Sequence, residues 1–199
     1  MSVRFFLVLS FFSFFLMANP VYGQKEIYRL RWGMDVPIAT IGIGTTTASF
    51  LLKKNKSPLT ESQINSLSAL SINRFDRNAT KQWNPKIAKI SDVAMLGGMA
   101  MPGLLYIDKD IRKDYKSILP MTLEMYFLTY GLTGLTKELV KRNRPFLYNS
   151  DVPLDEKISK DATSSFFSGH TSMTAASCFF TAQVYADYHP DSKWKPLVW

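Results

Sequence analysis

The chain has 199 residues, 46% hydrophobic and 14% aromatic, which suits one domain with a sizeable core and excludes a disordered polymer. Its 24 Lys and Arg against 16 Asp and Glu leave a formal charge of +8, which favours anionic partners: phosphates, anionic lipid headgroups or nucleic acid. No basic run interleaves with aromatics, which argues against nucleic acid; one cysteine excludes an internal disulfide, and two histidines without a cysteine cluster exclude a structural zinc site.

Residues 1–4 are a short basic start, residues 5–18 are apolar or small without a charge, and Pro20, Val21 and Gly23 follow in cleavage-site order. This pattern predicts a secretory signal peptide over 1–23 and an exported domain over 24–199. The apolar run is shorter than the roughly 20 residues that cross a bilayer; an uncleaved anchor is the other reading. An apolar stretch runs from 35 to 52, and "KKNKSP" at 53–58 breaks it. Thr60 and Gln63 have capping-box spacing and predict a short helix. Residues 72–80 read as a polar loop.

Ser91 reads as the N-cap of an apolar helix reaching 107. Residues 117–143 have helical spacing, and Pro145 should stop that helix. A loop of about twenty residues follows, then a helix from about His170 to Tyr188 that carries Cys178 as inert core. No segment alternates with period two, so the expected fold is an all-α helical bundle. A mean hydropathy of −0.05 leaves two readings of the apolar helices: buried core helices or weak membrane spans.

Two stretches carry chemistry. In "KELVKRNRP", Lys137 and Arg144 stand at i and i+7, two helical turns apart, and are expected on one helix face. Arginine offers an oxyanion a bidentate fork, and lysine offers a compact charge. In "SSFFSGHTS", Ser168 brings a hydroxyl, Gly169 lets the backbone approach a ligand, and His170 can pass a proton near neutral pH. The helix that follows adds free N–H groups and the positive end of its dipole. Together these residues suit a phosphoryl group.

The same residues resemble the type 2 phosphatidic acid phosphatase family, which shares its fold with vanadium haloperoxidases. Lys137, six residues and Arg144-Pro145 fit its first motif. Phe167-Ser168-Gly169-His170 fit the second, with Phe167 in place of proline. The resemblance covers 72–199 and is to bacterial exported members. It implies a metal-independent phosphatase without cofactor, acting on lipid phosphates or diphosphates through a phosphohistidine. Lys137, Arg144, Ser168 and Gly169 would hold phosphate, and His170 would protonate the leaving group.

The third motif, Ser-Arg, five residues, His, three residues, Asp, does not occur. His189 has Gln183 six positions before it and Lys193 four after, and reads as an ordinary surface-loop histidine. The expectation is a member truncated before its nucleophile, located in the bacterial cell envelope and in contact with the membrane surface. A vanadium haloperoxidase-like oxidoreductase and a non-catalytic anion- or lipid-binding remnant are the alternatives.

Overall fold

A computed structural model describes residues 27–195; the expected signal peptide lies outside the described residues. Among the described residues there is no strand, and the fold is all-α. Its helices are α1 (Trp32–Asn55), α2 (Glu61–Asn65), α3 (Pro85–Leu104), α4 (Lys109–Lys113), α5 (Tyr115–Val140), α6 (Leu154–Lys157) and α7 (Gly169–Tyr188). Short 3-10 turns at Arg77–Lys81, Leu105–Ile107, Pro145–Tyr148 and Lys160–Thr163 fill the connections.

The four long helices form the body. α1 packs along α5, and small residues set the approach. A Cβ added at Gly42 would lie 2.9 Å from the Leu128 nitrogen, and one at Gly131 would lie 2.2 Å from Thr45 Oγ1. One at Gly134 would lie 2.7 Å from Ser49 Oγ. The Thr46 hydroxyl donates to the Phe127 carbonyl at 3.1 Å. Residue numbers rise together along this seam, so α1 and α5 run parallel.

α3 pairs with α7 in the same sense, through Asp92 with His170 and Gly98 with Thr174. α5 and α7 run antiparallel, with Lys137 near Gly169 at one end and Ile118 clustered with Val184 at the other. The C-terminal ends of α1 and α5 therefore meet the N-terminal end of α7.

Conventional cores lie at the two ends of the bundle. Leu105, Ile111, Ile118 and Val184 close one end, with Tyr28, Phe180 and Tyr188 packed against them. Ile64, Leu147 and Ala162 form the other, beneath the loops that follow α5. Between them α1 and α3 show water much of their apolar surface, including Trp32, Ile41, Phe50, Leu51, Ile90, Val93 and Leu96. α1 and residues Pro85–Ile107 are long and apolar enough to cross a membrane, and only 11% of each apolar window is buried in the molecule. Most of the surface of these two apolar windows therefore faces away from the rest of the molecule.

Two helix boundaries correct the sequence reading. α3 starts at Pro85, not after Ser91: Asn84 caps it by accepting from the Lys86 and Ile87 N–H groups at 3.0 and 3.2 Å. Asn at the cap with Pro at the first helical position is a strong start, because proline's missing N–H would have been unbonded there. α5 ends at Val140, three residues before the expected end. The capping box of α2 forms as expected, with Thr60 and Gln63 exchanging hydrogen bonds.

Candidate functional site

The end of α5 sets the site. Lys141 takes a left-handed conformation, φ 49°, and its N–H closes on the Lys137 carbonyl at 3.0 Å. Arg144 then lies in extended backbone, as the residue before a proline must. Arg144 is thus off the helix, and it does not share a helical face with Lys137 at i and i+7. A loop places it instead. The Arg144 N–H donates to the Ala162 carbonyl at 2.8 Å, and the Ser165 N–H donates to the Arg142 carbonyl at 3.0 Å. Leu147 and Ala162, both buried, anchor the two segments to one core.

Lys137 reaches the start of α7. A Cβ built on Gly169 would lie 3.3 Å from Lys137 Nζ and 3.8 Å from Thr133 Cγ2. The ammonium occupies the space beside a residue without a side chain, and any larger residue would crowd it. Arg144 forms an ion pair with Asp161 through one terminal nitrogen, while its Nε is buried and has no hydrogen-bond partner. The Thr133 hydroxyl is likewise buried without one. Buried donors are nearly always paired, so two unpaired donors near one ammonium are unusual.

Lys53, at the end of α1, sits 3.3 Å from the other Asp161 oxygen. Lys137 is within electrostatic reach of Arg144, Asp161 and Lys53. Burial pushes the Asp161 carboxyl up, but Arg144, Lys53 and Lys137 outweigh it and hold the group below the usual carboxylate value.

Behind this cluster lies a buried lock. Lys56 Nζ is 3.1 Å from Glu138 Oε2 and donates to Ser164 Oγ at 2.9 Å. The Ser164 hydroxyl donates to Glu138 Oε1 at 3.1 Å. Both charged side chains are almost fully buried, at 8% and 5% exposure. The lock ties α1, α5 and the loop before α7 together one residue from Lys137.

Ser168 is the N-cap of α7. Its Oγ accepts from the Thr171 N–H at 3.3 Å and from the Thr171 hydroxyl at 3.1 Å, which leaves its own proton to donate. His170 Nε2 is 2.7 Å from Asp92 Oδ1 on α3. The structure therefore gathers Lys137, Arg144 and Gly169. Ser168 and His170 flank Gly169 along the chain, and their side chains bond to Thr171 and Asp92 rather than to Lys137 or Arg144.

Sequence reasoning did not single out Lys53, Asp92, Thr133 or Asp161. Lys53 stood in a basic run that read only as a helix breaker. His189 is not an ordinary loop histidine. It is partly buried at the end of α7, 2.9 Å from Asp108 Oδ2 and stacked near Tyr185. Cys178 is only half-buried. A cleft of about 350 Å³ is lined by Asp76, Lys141, Arg142 and Tyr148 among others, and none of the five motif residues lines it.

Residues 121–199, less than half of the chain, match the family model described as the PAP2 superfamily. The matched span contains Lys137, Arg144 and the whole of α7, while α1 and α3 lie before it. Neither the curated proteins nor the solved structures contain a match to the chain.

Proposed function

We propose that the chain carries the phosphate-binding and proton-donating residues of a phosphatase of lipid phosphates or diphosphates that works through a phosphohistidine, the attacking histidine not being among these 199 residues. One observation carries this reading: the buried Arg144 Nε has no partner, and it lies in a cluster where the Lys137 ammonium rests against Gly169 at a helix N-terminus. An oxyanion seated there would take the spare Nε–H, the ammonium and the first N–H groups of α7, each a charge-assisted or dipole-favoured donor. These donors would stabilise charge as it develops on the phosphoryl oxygens.

His170 is the proton donor in this scheme. Asp92 engages its Nε2, so Nδ1 would pass a proton to the leaving oxygen as the phosphorus–oxygen bond breaks. The attacking histidine belongs to a Ser-Arg-His-Asp motif that the 199 residues do not contain. In the scheme its ring nitrogen bonds phosphorus, and water then cleaves that nitrogen–phosphorus bond. No step calls on a metal.

The lipid assignment rests on α1 and α3. Their length and exposed apolar side chains fit a bilayer, which would place the cluster at one end of the bundle, near headgroup level. We infer that an exported chain would work there in the cell envelope.

The test uses a chain extended through that motif, with phosphatidic acid vesicles as substrate and chelator in the buffer. Orthophosphate release is expected, and His170→Ala should lower it by about 10²–10⁴-fold. Release that needs an added divalent metal, or a His170→Ala variant as active as its parent, would overturn the scheme.

A further inference from the structure

Lys53 stands outside both motif stretches and outside the span matched to the superfamily, yet it ends in the same cluster. The parallel packing of α1 on α5 brings it there. Gly42 meets Leu128, Ser49 meets Gly134 and Lys56 meets Glu138 along one seam, so the last turn of α1 arrives beside the last turn of α5. Lys53 Nζ then lies 3.3 Å from one oxygen of Asp161, while Arg144 takes the other. Glu138 is already matched by Lys56. Lys53, Lys137 and Arg144 against Asp161 alone leave two positive charges unmatched, which suits a phosphate monoester carrying about two negative charges at neutral pH.

We propose that Lys53 is a further phosphate ligand of this site, and that Asp161 is an internal counter-ion holding Lys53 and Arg144 until the phosphoryl group replaces it. The inference rests on the phosphate reading given above. The Lys53 and Asp161 side chains are 52% and 43% exposed, so their ion pair is solvated, weak and readily exchanged. A dianion with four oxygens can engage Lys53, Lys137 and Arg144 at once, where the single carboxylate bridges Lys53 and Arg144. Arg144 also keeps its unused Nε–H for the incoming group.

Titration of the full chain in detergent with orthophosphate, at low salt and neutral pH, separates the possibilities. Lys53→Ala should weaken binding about tenfold, as expected for loss of one charged hydrogen-bond contact. Lys53→Arg should retain most of it, and Lys54→Ala should leave it unchanged. Asp161→Asn carries the sharper reading. If Asp161 is a displaceable counter-ion, this variant binds orthophosphate more tightly than the parent. Were the Lys53–Asp161 pair merely structural, Asp161→Asn would weaken binding as Lys53→Ala does, and the proposal would be wrong.

Lys53→Ala equal to the parent, with Lys137→Ala and Arg144→Ala both weakened, would overturn the role of Lys53 and leave the site standing. No binding by the parent, or no loss in Lys137→Ala and Arg144→Ala, would remove the site itself and this inference with it. Circular dichroism of each variant distinguishes a lost contact from a lost fold.

Discussion

Gly169 matters less for backbone freedom than for the space beside it. With 3.3 Å between its would-be Cβ and Lys137 Nζ, alanine there forces the flexible ammonium to move by a few tenths of an ångström. Gly169→Ala should therefore keep the fold and weaken orthophosphate binding several-fold, measured by the same titration; unchanged binding would show that Lys137 need not sit at that spot. Asp161 gives a pH dependence with a definite sign. Its folded pKa lies below the unfolded value of 3.8, because Arg144 and Lys53 outweigh the effect of burial. The stability it contributes is complete above pH 3.8 and is lost as pH falls through the lower folded value. In acid titrations of stability, Asp161→Asn should flatten the limb below pH 3.8 and leave no step above it.

Along the helices, the α1–α5 seam is the tightest packing. A methyl group at Gly131 would meet Thr45 Oγ1 at 2.2 Å, the Thr46 nitrogen at 2.7 Å and the Gly42 carbonyl at 2.8 Å. Backbone cannot yield as a side-chain tip can, so Gly131→Ala should cost about 1–3 kcal/mol through overpacking. Gly44, with nothing within 4 Å of its would-be Cβ, is the contrast: Gly44→Ala should gain up to about 1 kcal/mol from helix propensity. Denaturant unfolding of the two variants reads the difference, and equal shifts would contradict the seam. Asn84→Ala should cost about 1 kcal/mol by uncapping α3.

The same elements show what could be read in advance. The Thr60–Gln63 box is local chemistry and was legible from four residues. The start of α3 was misplaced because Ser91 and Asp92 also look like a helix start. In the fold they lie inside α3, and Asp92 serves His170 instead. The end of α5 was signalled by Pro145, but Lys141 turns the chain before the proline can. Lys137 with Arg144, and Ser168, Gly169 and His170 in a run, stood out because each group is close in sequence. Lys53 and Asp161 did not, because it takes the parallel run of α1 and α5, and the loop that pins Ala162 to Arg144, to bring residues 53, 137 and 161 together.

Seen whole, the molecule has its ordinary apolar cores at the two ends, with small residues along its middle seam and large apolar ones facing outward from α1 and α3. That distribution suits a lipid surround, where close helix packing on glycine, serine and threonine replaces hydrophobic burial. The full chain should float with phospholipid vesicles and resist extraction by high salt; release by salt alone would mean that α1 and α3 pack against protein instead. The buried Lys56–Glu138–Ser164 lock should hold the site end together. Lys56→Met would leave Glu138 buried without its counter-charge, at a cost of about 3–5 kcal/mol.

The proposed phosphatase needs an oxyanion seated between Lys137, Arg144 and the N-terminus of α7. An experimental structure of the full chain with orthovanadate tests it most directly. The expected result is one vanadate within hydrogen-bond distance of Lys137 Nζ, Arg144 Nε and the Gly169 N–H. Vanadate bound instead in the cleft of about 350 Å³ lined by Asp76, Lys141 and Arg142, or an empty site at saturating vanadate, would contradict it.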